Sequence, residues 1–127
     1  MNQTVLITAA IFGIIGIMLG AFGAHLFKKY ISQEKLASFE VGVRYQFYSA
    51  LTLLILGFNG DFDVQSYRIS YYCLSLGTIL FSCSIYGLSF AEYWKKNLKY
   101  LGPITPLGGL LLIIGWVFLF IGFLEKY

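Results

Sequence analysis

The chain has 127 residues, 58% of them hydrophobic and 12% charged, with a mean hydropathy of +0.75. A water-soluble domain carries about twice that charged fraction, so a soluble fold is excluded. The net charge of +3 is spread over the ends of apolar stretches rather than gathered in one patch, which excludes a nucleic-acid-binding surface.

Four apolar stretches fill most of the chain, at residues 5–27, 41–58, 69–91 and 104–124. A helix rises about 1.5 Å per residue, so ~20 residues match a hydrocarbon core about 30 Å thick. Lipid offers no partner to a backbone N–H or C=O, so runs of this length must be helical to satisfy themselves. The expectation is an all-α membrane protein: one domain over residues 1–127, a four-transmembrane-helix bundle with short loops.

The first stretch carries Gly13, Gly16, Gly20, Gly23 and Ala24. Gly16 and Gly20 form a G-x-x-x-G, and Ala24 extends the same ridge, a pattern that lets helix backbones approach closely in lipid. The ridge serves packing within the chain or between two copies. Small residues before His25 suggest a cleavage site, but no basic segment precedes the run, which is longer than a signal-peptide core, so an uncleaved helix is expected.

Ser32 is placed to cap an interfacial helix over residues 33–39 that then enters the membrane. Glu40 and Arg44 follow, four residues apart and on one helix face. Gln46 and Ser49 lie deeper and are expected to hydrogen-bond across helices. Asn59-Gly60, ahead of Asp61 and Asp63, predicts a tight turn.

On the third stretch Cys73 and Cys83 are ten residues apart. That is about 15 Å along a helix, beyond disulfide reach. With one histidine and no Cys-x-x-Cys, neither a metal site nor a cofactor is expected. Ser82, Tyr86 and Ser89 recur at i, i+4 and i+7 toward the end of this helix. Tyr30, Tyr93, Trp94 and Tyr100 suggest one interfacial aromatic belt, and Phe62, Tyr67, Tyr71 and Tyr72 the other.

The fourth stretch opens with Gly102-Pro103-Ile104-Thr105-Pro106-Leu107-Gly108-Gly109. Thr105 is the expected N-cap, with Pro106 in the first turn. Gly108 and Gly109 are expected to leave first-turn amides bare, an arrangement that favours anions.

Six lysines (Lys28, Lys29, Lys35, Lys95, Lys96 and Lys99) flank the first and third connections, against Arg68 and Lys126 at the opposite ends. The positive-inside rule then places those two connections in the cytoplasm and both termini outside. All four helices bring polar groups to a similar depth near the lysines, and His25, Glu40, Arg44, Ser82, Tyr86 and Thr105 form a candidate ligand-binding pocket. No catalytic nucleophile is evident.

Taken together, Gly20-Ala21-Phe22-Gly23-Ala24-His25, the run from Phe39 to Tyr48, Leu80 to Tyr86, the Gly102–Gly109 segment and Gly115-Trp116 resemble the domain-of-unknown-function 423 (YwdK/YgdD-like) membrane proteins. The resemblance covers nearly the whole chain. It implies a small bacterial inner-membrane protein of about four helices, with relatives among short animal membrane proteins, and no defined reaction. Where that family's pattern continues with His-Ala-Leu, this chain has Ser49-Ala50-Leu51. Histidine chemistry at this position is thereby set aside, while a hydrogen-bonding role survives in serine.

Three functions compete. The first is a non-enzymatic component of envelope integrity or of a larger assembly, whose partners are membrane lipids, other membrane proteins or further copies of itself. The second is a small solute or ion transporter or channel. The third is an intramembrane enzyme or a binder of anionic lipid headgroups, using Arg44 and the amides at the start of the fourth helix for phosphate, with His25 as the one candidate base for catalysis.

Overall fold

The structure is a computed structural model that describes residues 1–127, apart from the side chain of Ala24. Its helices are α1 (Asn2–Leu26), α2 (Gln33–Asn59), α3 (Gln65–Phe90) and α4 (Ile104–Lys126), with single 3-10 turns at Phe27–Lys29 and Lys99–Leu101. All four long helices have the length and apolar composition to cross a membrane.

The first three helices start ahead of their apolar stretches, α2 by the largest margin, while α1 and α3 stop one residue short of the stretch ends. Ser32 caps α2, its Oγ accepting from the Lys35 amide at 3.2 Å. The expected interfacial helix and the second span are therefore one continuous rod. The turn signalled by Asn59-Gly60 closes with the Gly60 amide on Leu56 O at 2.7 Å. Arg68 reaches back from α3 and donates to Phe62 O at 2.6 Å and to Asp63 O at 3.2 Å, so its charge is spent on the loop.

The start of α4 differs from expectation. Pro103 occupies the N-cap position and Thr105 lies inside the first turn. Freed from capping, the Thr105 hydroxyl meets the Ser84 hydroxyl of α3 at 2.6 Å. Gly108 is not bare either: it is buried against the Phe81 backbone.

Packing runs in series, α1 on α2, α2 on α3 and α3 on α4. Among the described residues α4 has no extended contact with α1. The bundle is thus open, with one cleft between α1 and α3 and a longer one between α2 and α4.

The α3–α4 seam follows from residue size. The buried residues of α4 are Gly108, Leu112, Gly115, Leu119 and Gly122, spaced 4, 3, 4 and 3. A repeat of 3.5 residues keeps one stripe on a neighbouring helix. Three of those positions are glycines seven residues apart, and each lies under a large residue of α3: Gly122 under Tyr67, Gly115 under Leu74, Gly108 beneath Phe81. Tyr67, Leu74 and Phe81 are also seven apart: the Tyr67 and Leu74 side chains enter gaps of the antiparallel neighbour, and at Gly108 the two backbones themselves meet. Ser70 pins the register by donating to Gly115 O at 2.8 Å.

The glycine ridge of α1 packs within the chain. Gly16 faces Gln46 and Phe47, Gly20 faces Val43, and Gly23 faces Phe27 and Phe39. Ala24, expected on the same ridge, has its side chain outside the described residues. Farther along, Gly57 of α2 receives Leu6. Three of the four aromatics expected to form the belt away from the lysines are core residues instead: Phe62, Tyr67 and Tyr71 are buried, and only Tyr72 is exposed. At the lysine-bearing end Tyr30 and Tyr93 do stand together at the surface, their rings 5.1 Å apart.

A methyl group at Gly108 would meet the Phe81 backbone, which cannot swing aside, whereas nothing lies within 4 Å of a Cβ at Gly13. Gly108→Ala is expected to destabilise by about 1–3 kcal/mol through overpacking. Gly13→Ala should be neutral or stabilise by up to about 1 kcal/mol. Thermal unfolding of the two variants in the same detergent checks the pair, and equal midpoints would contradict the seam.

Candidate functional site

The polar centre of the molecule is Gln46, which is 5% exposed. Its Nε2 donates to Phe12 O of α1 at 2.9 Å, and its Oε1 accepts from the Tyr86 hydroxyl of α3 at 2.6 Å. A carbonyl can only accept, so the carboxamide has one workable orientation. One side chain of α2 thereby joins three helices.

The residues around it make this reach possible. Gly42 lies one turn before Gln46, and a Cβ there would come within 2.8 Å of Tyr86 Cε1. Its bare face lets the tyrosine ring lie against α2. Phe39 packs on that ring with centroids 4.9 Å apart, and Ser82 donates to Gly42 O at 2.7 Å. At the other end Thr8 and Tyr71 join α1 to α3 at 2.9 Å, and Asn2 Nδ2 donates to Gly57 O at 2.8 Å. The Ser75 hydroxyl, buried on α3, has no partner among the described residues.

The six residues expected to form one pocket divide into two sets. Ser82 and Tyr86 are interior and engaged with α2, and Thr105 is engaged with Ser84. His25, Glu40 and Arg44 are exposed on the outside of the bundle. No salt bridge joins Glu40 to Arg44 among the described residues. The expected common pocket is therefore not assembled. Sequence position sets the depth of a residue along a helix but not the direction it faces. Of the two polar residues expected deeper on α2, Gln46 crosses to both neighbours while Ser49 lines the α2–α4 cleft. Cys73 and Cys83 are both free thiols.

That cleft is the largest concavity. Its central compartment encloses about 1000 Å³ between Tyr45 and Tyr48 of α2 and Ile113 and Trp116 of α4, with Phe81 of α3 as floor. Pro106 also lines a second compartment of about 450 Å³ at the lysine-bearing end, together with Lys35, Ser38, Ser89 and Thr105. Trp116 also lines a third, of about 240 Å³, toward Tyr67 and Tyr127. The sequence singled out Ser49, Ser89 and Thr105 on its walls but not the cleft itself, because the central walls are mostly apolar residues inside apolar stretches.

Four membrane-crossing helices, joined by interhelical hydrogen bonds and glycine seams, define a small polytopic membrane protein that sits in the lipid bilayer. A family profile described as "Protein of unknown function (DUF423)" matches residues 19–109, and the chain belongs to that family. It is 36% identical over 116 residues to the UPF0382 membrane protein SAB0533 of Staphylococcus aureus, covering 91% of each chain. It is 36% identical over 114 residues to the UPF0382 membrane protein YwdK of Bacillus subtilis, covering 88% of this chain and 89% of that one. With the UPF0382 inner membrane protein YgdD of Escherichia coli K12 it shares 34% over 123 residues, 95% of this chain and 89% of the relative. No solved structure matches the chain. The family resemblance and the inner-membrane location expected from sequence therefore hold.

An interhelical hydrogen bond in a membrane contributes about 0.6 kcal/mol on average, with a ceiling near 1.7. Tyr86→Phe should cost an amount in that range, and Gln46→Leu, which loses two such bonds, about twice as much. Because the bonds share Gln46, the double variant should cost little more than Gln46→Leu alone. Reversible unfolding in mixed micelles measures the cycle, and fully additive losses would dissolve the link. His25→Ala, Glu40→Gln and Arg44→Ala, all at exposed positions, should leave the unfolding midpoint unchanged in the same experiment.

Proposed function

We propose that this protein is a non-enzymatic membrane component that supports a larger envelope assembly, as a single four-helix domain with its lysine-bearing end in the cytoplasm and both termini outside. The observation that carries this reading is the division of polarity just described. The Gln46 carboxamide and the hydroxyls of Ser70, Ser82 and Tyr86 are committed to holding helices together. The ionisable groups His25, Glu40 and Arg44 face outward.

Outward charge near a membrane-spanning segment has a physical consequence. On insertion scales an arginine at a helix centre costs about 2.5–3.5 kcal/mol, and less toward the interface. Glu40 and Arg44 lie seven and eleven residues beyond Gln33, where α2 begins. They are best served by a polar partner on the same face, supplied by another membrane protein. A transport path receives less support, since most interior polar groups that would line it, the Ser75 hydroxyl apart, are already engaged and the walls of the α2–α4 cleft are mostly apolar.

Photoreactive side chains placed at positions 40 and 44 in cells should give discrete protein adducts, and one at the lipid-facing, apolar Ile14 should not. Absence of adducts at 40 and 44, or equal adducts at all three positions, would overturn the assembly reading. The orientation is checked separately: a phosphatase fused after Tyr127 should be active and a fluorescent protein dark, and the opposite pattern would reverse it.

A further inference from the structure

The three compartments between α2 and α4 form a graded cleft. Pro106 is shared by the lysine-end and central compartments, and Trp116 by the central and third. At the lysine-bearing end the lining includes Lys35, Ser38, Ser89 and Thr105; deeper it turns to Tyr48, Phe81, Ile113 and Trp116. From Thr105 to Trp116 is eleven residues of helix, about 16 Å. Half of a hydrocarbon core is about 15 Å. The part of the cleft from Thr105 to Trp116 therefore agrees in length with one leaflet, and along it polarity falls in the direction it falls along a phospholipid.

Charge adds to the match. Lys35 is half-buried at the opening, and no aspartate or glutamate lines any of the three compartments. A second copy is a poorer occupant. Two copies inserted with the same orientation and joined through this face would bring their lysine-rich ends side by side, against electrostatic repulsion.

We propose that the α2–α4 cleft is a binding site for one anionic phospholipid of the lysine-bearing leaflet. Its phosphate group is held by the Lys35 ammonium beside the Ser38 hydroxyl. An acyl chain runs over Phe81 to Trp116. The lipid joins α4 to α2, which the protein's own packing leaves apart, and so acts as a structural ligand. The proposal stands apart from the assembly reading, which rests on the outward face of His25, Glu40 and Arg44.

The test is native mass spectrometry of the full chain released from mixed micelles holding equal phosphatidylglycerol and phosphatidylcholine. The expected spectrum is monomer with one phosphatidylglycerol, retained on the order of five-fold over phosphatidylcholine, the preference one lysine near a lipid surface supplies. Lys35→Ala should bring the two lipids close to parity, Lys35→Arg should restore the preference, and Lys95→Ala, at the same end but outside the cleft, should leave it intact. Ile113→Trp, which fills the central compartment, should reduce retention of both lipids. Equal retention by the wild type, equal losses from Lys35→Ala and Lys95→Ala, or a dimer in place of the lipid-bound monomer would each overturn the proposal. None of these outcomes bears on adducts formed at positions 40 and 44, so the two readings fail separately.

Discussion

The arrangement depends on the carboxamide of Gln46. In lipid, apolar side chains gain little by leaving their surroundings for one another, so the hydrophobic effect does not select a register among apolar helices. Shape and hydrogen bonds must do it. Gln46 contributes both a donor and an acceptor at one depth, and Phe12 and Tyr86 take them from opposite neighbours. Each bond is modest in energy. Their shared geometry sets the height and rotation of α1, α2 and α3 relative to one another.

Steric complementarity extends that register to α4. Tyr67 and Leu74 can descend to the backbone of α4 only where Gly122 and Gly115 leave room, and Gly108 lets the α3 backbone at Phe81 come in beside it. Sliding the pair by one turn would set large residues against Leu112 and Leu119. On the other side of α3, Gly42 does the same for Tyr86. Small residues thus act as sockets that decide where the large ones sit, and the polar bonds lock what the sockets allow. Because α3 carries contacts to both α2 and α4, the bundle is organised around it and stays open where α2 faces α4.

Much of this was legible in the amino-acid sequence, for physical reasons that also mark where legibility ended. The spans stood out because a bilayer imposes a minimum apolar length, and Ser32 and Asn59-Gly60 announced a helix start and a turn through local chemistry. What a residue faces was harder to read. In α4 nearly every residue is apolar, so the 4-3-4-3 spacing of its buried stripe has no polar background against which to show. Tyr67 and Tyr71 have belt-like composition and depth, yet they turn inward onto Gly122 and Thr8. His25 and Arg44 have the depth of Tyr86 but point elsewhere. The Thr105 hydroxyl was legible as a polar group at a helix start, but the Ser84 hydroxyl that claims it lies on another helix, and no local rule specifies that pairing.

The most direct measurement is an experimental structure of the full chain in a lipid nanodisc, read at Gln46. The account predicts the Tyr86 hydroxyl and the Phe12 carbonyl on the two ends of that carboxamide, with the α2–α4 cleft open to the bilayer. A Tyr86 side chain turned toward His25 and Arg44, or α4 closed directly onto α2, would contradict it.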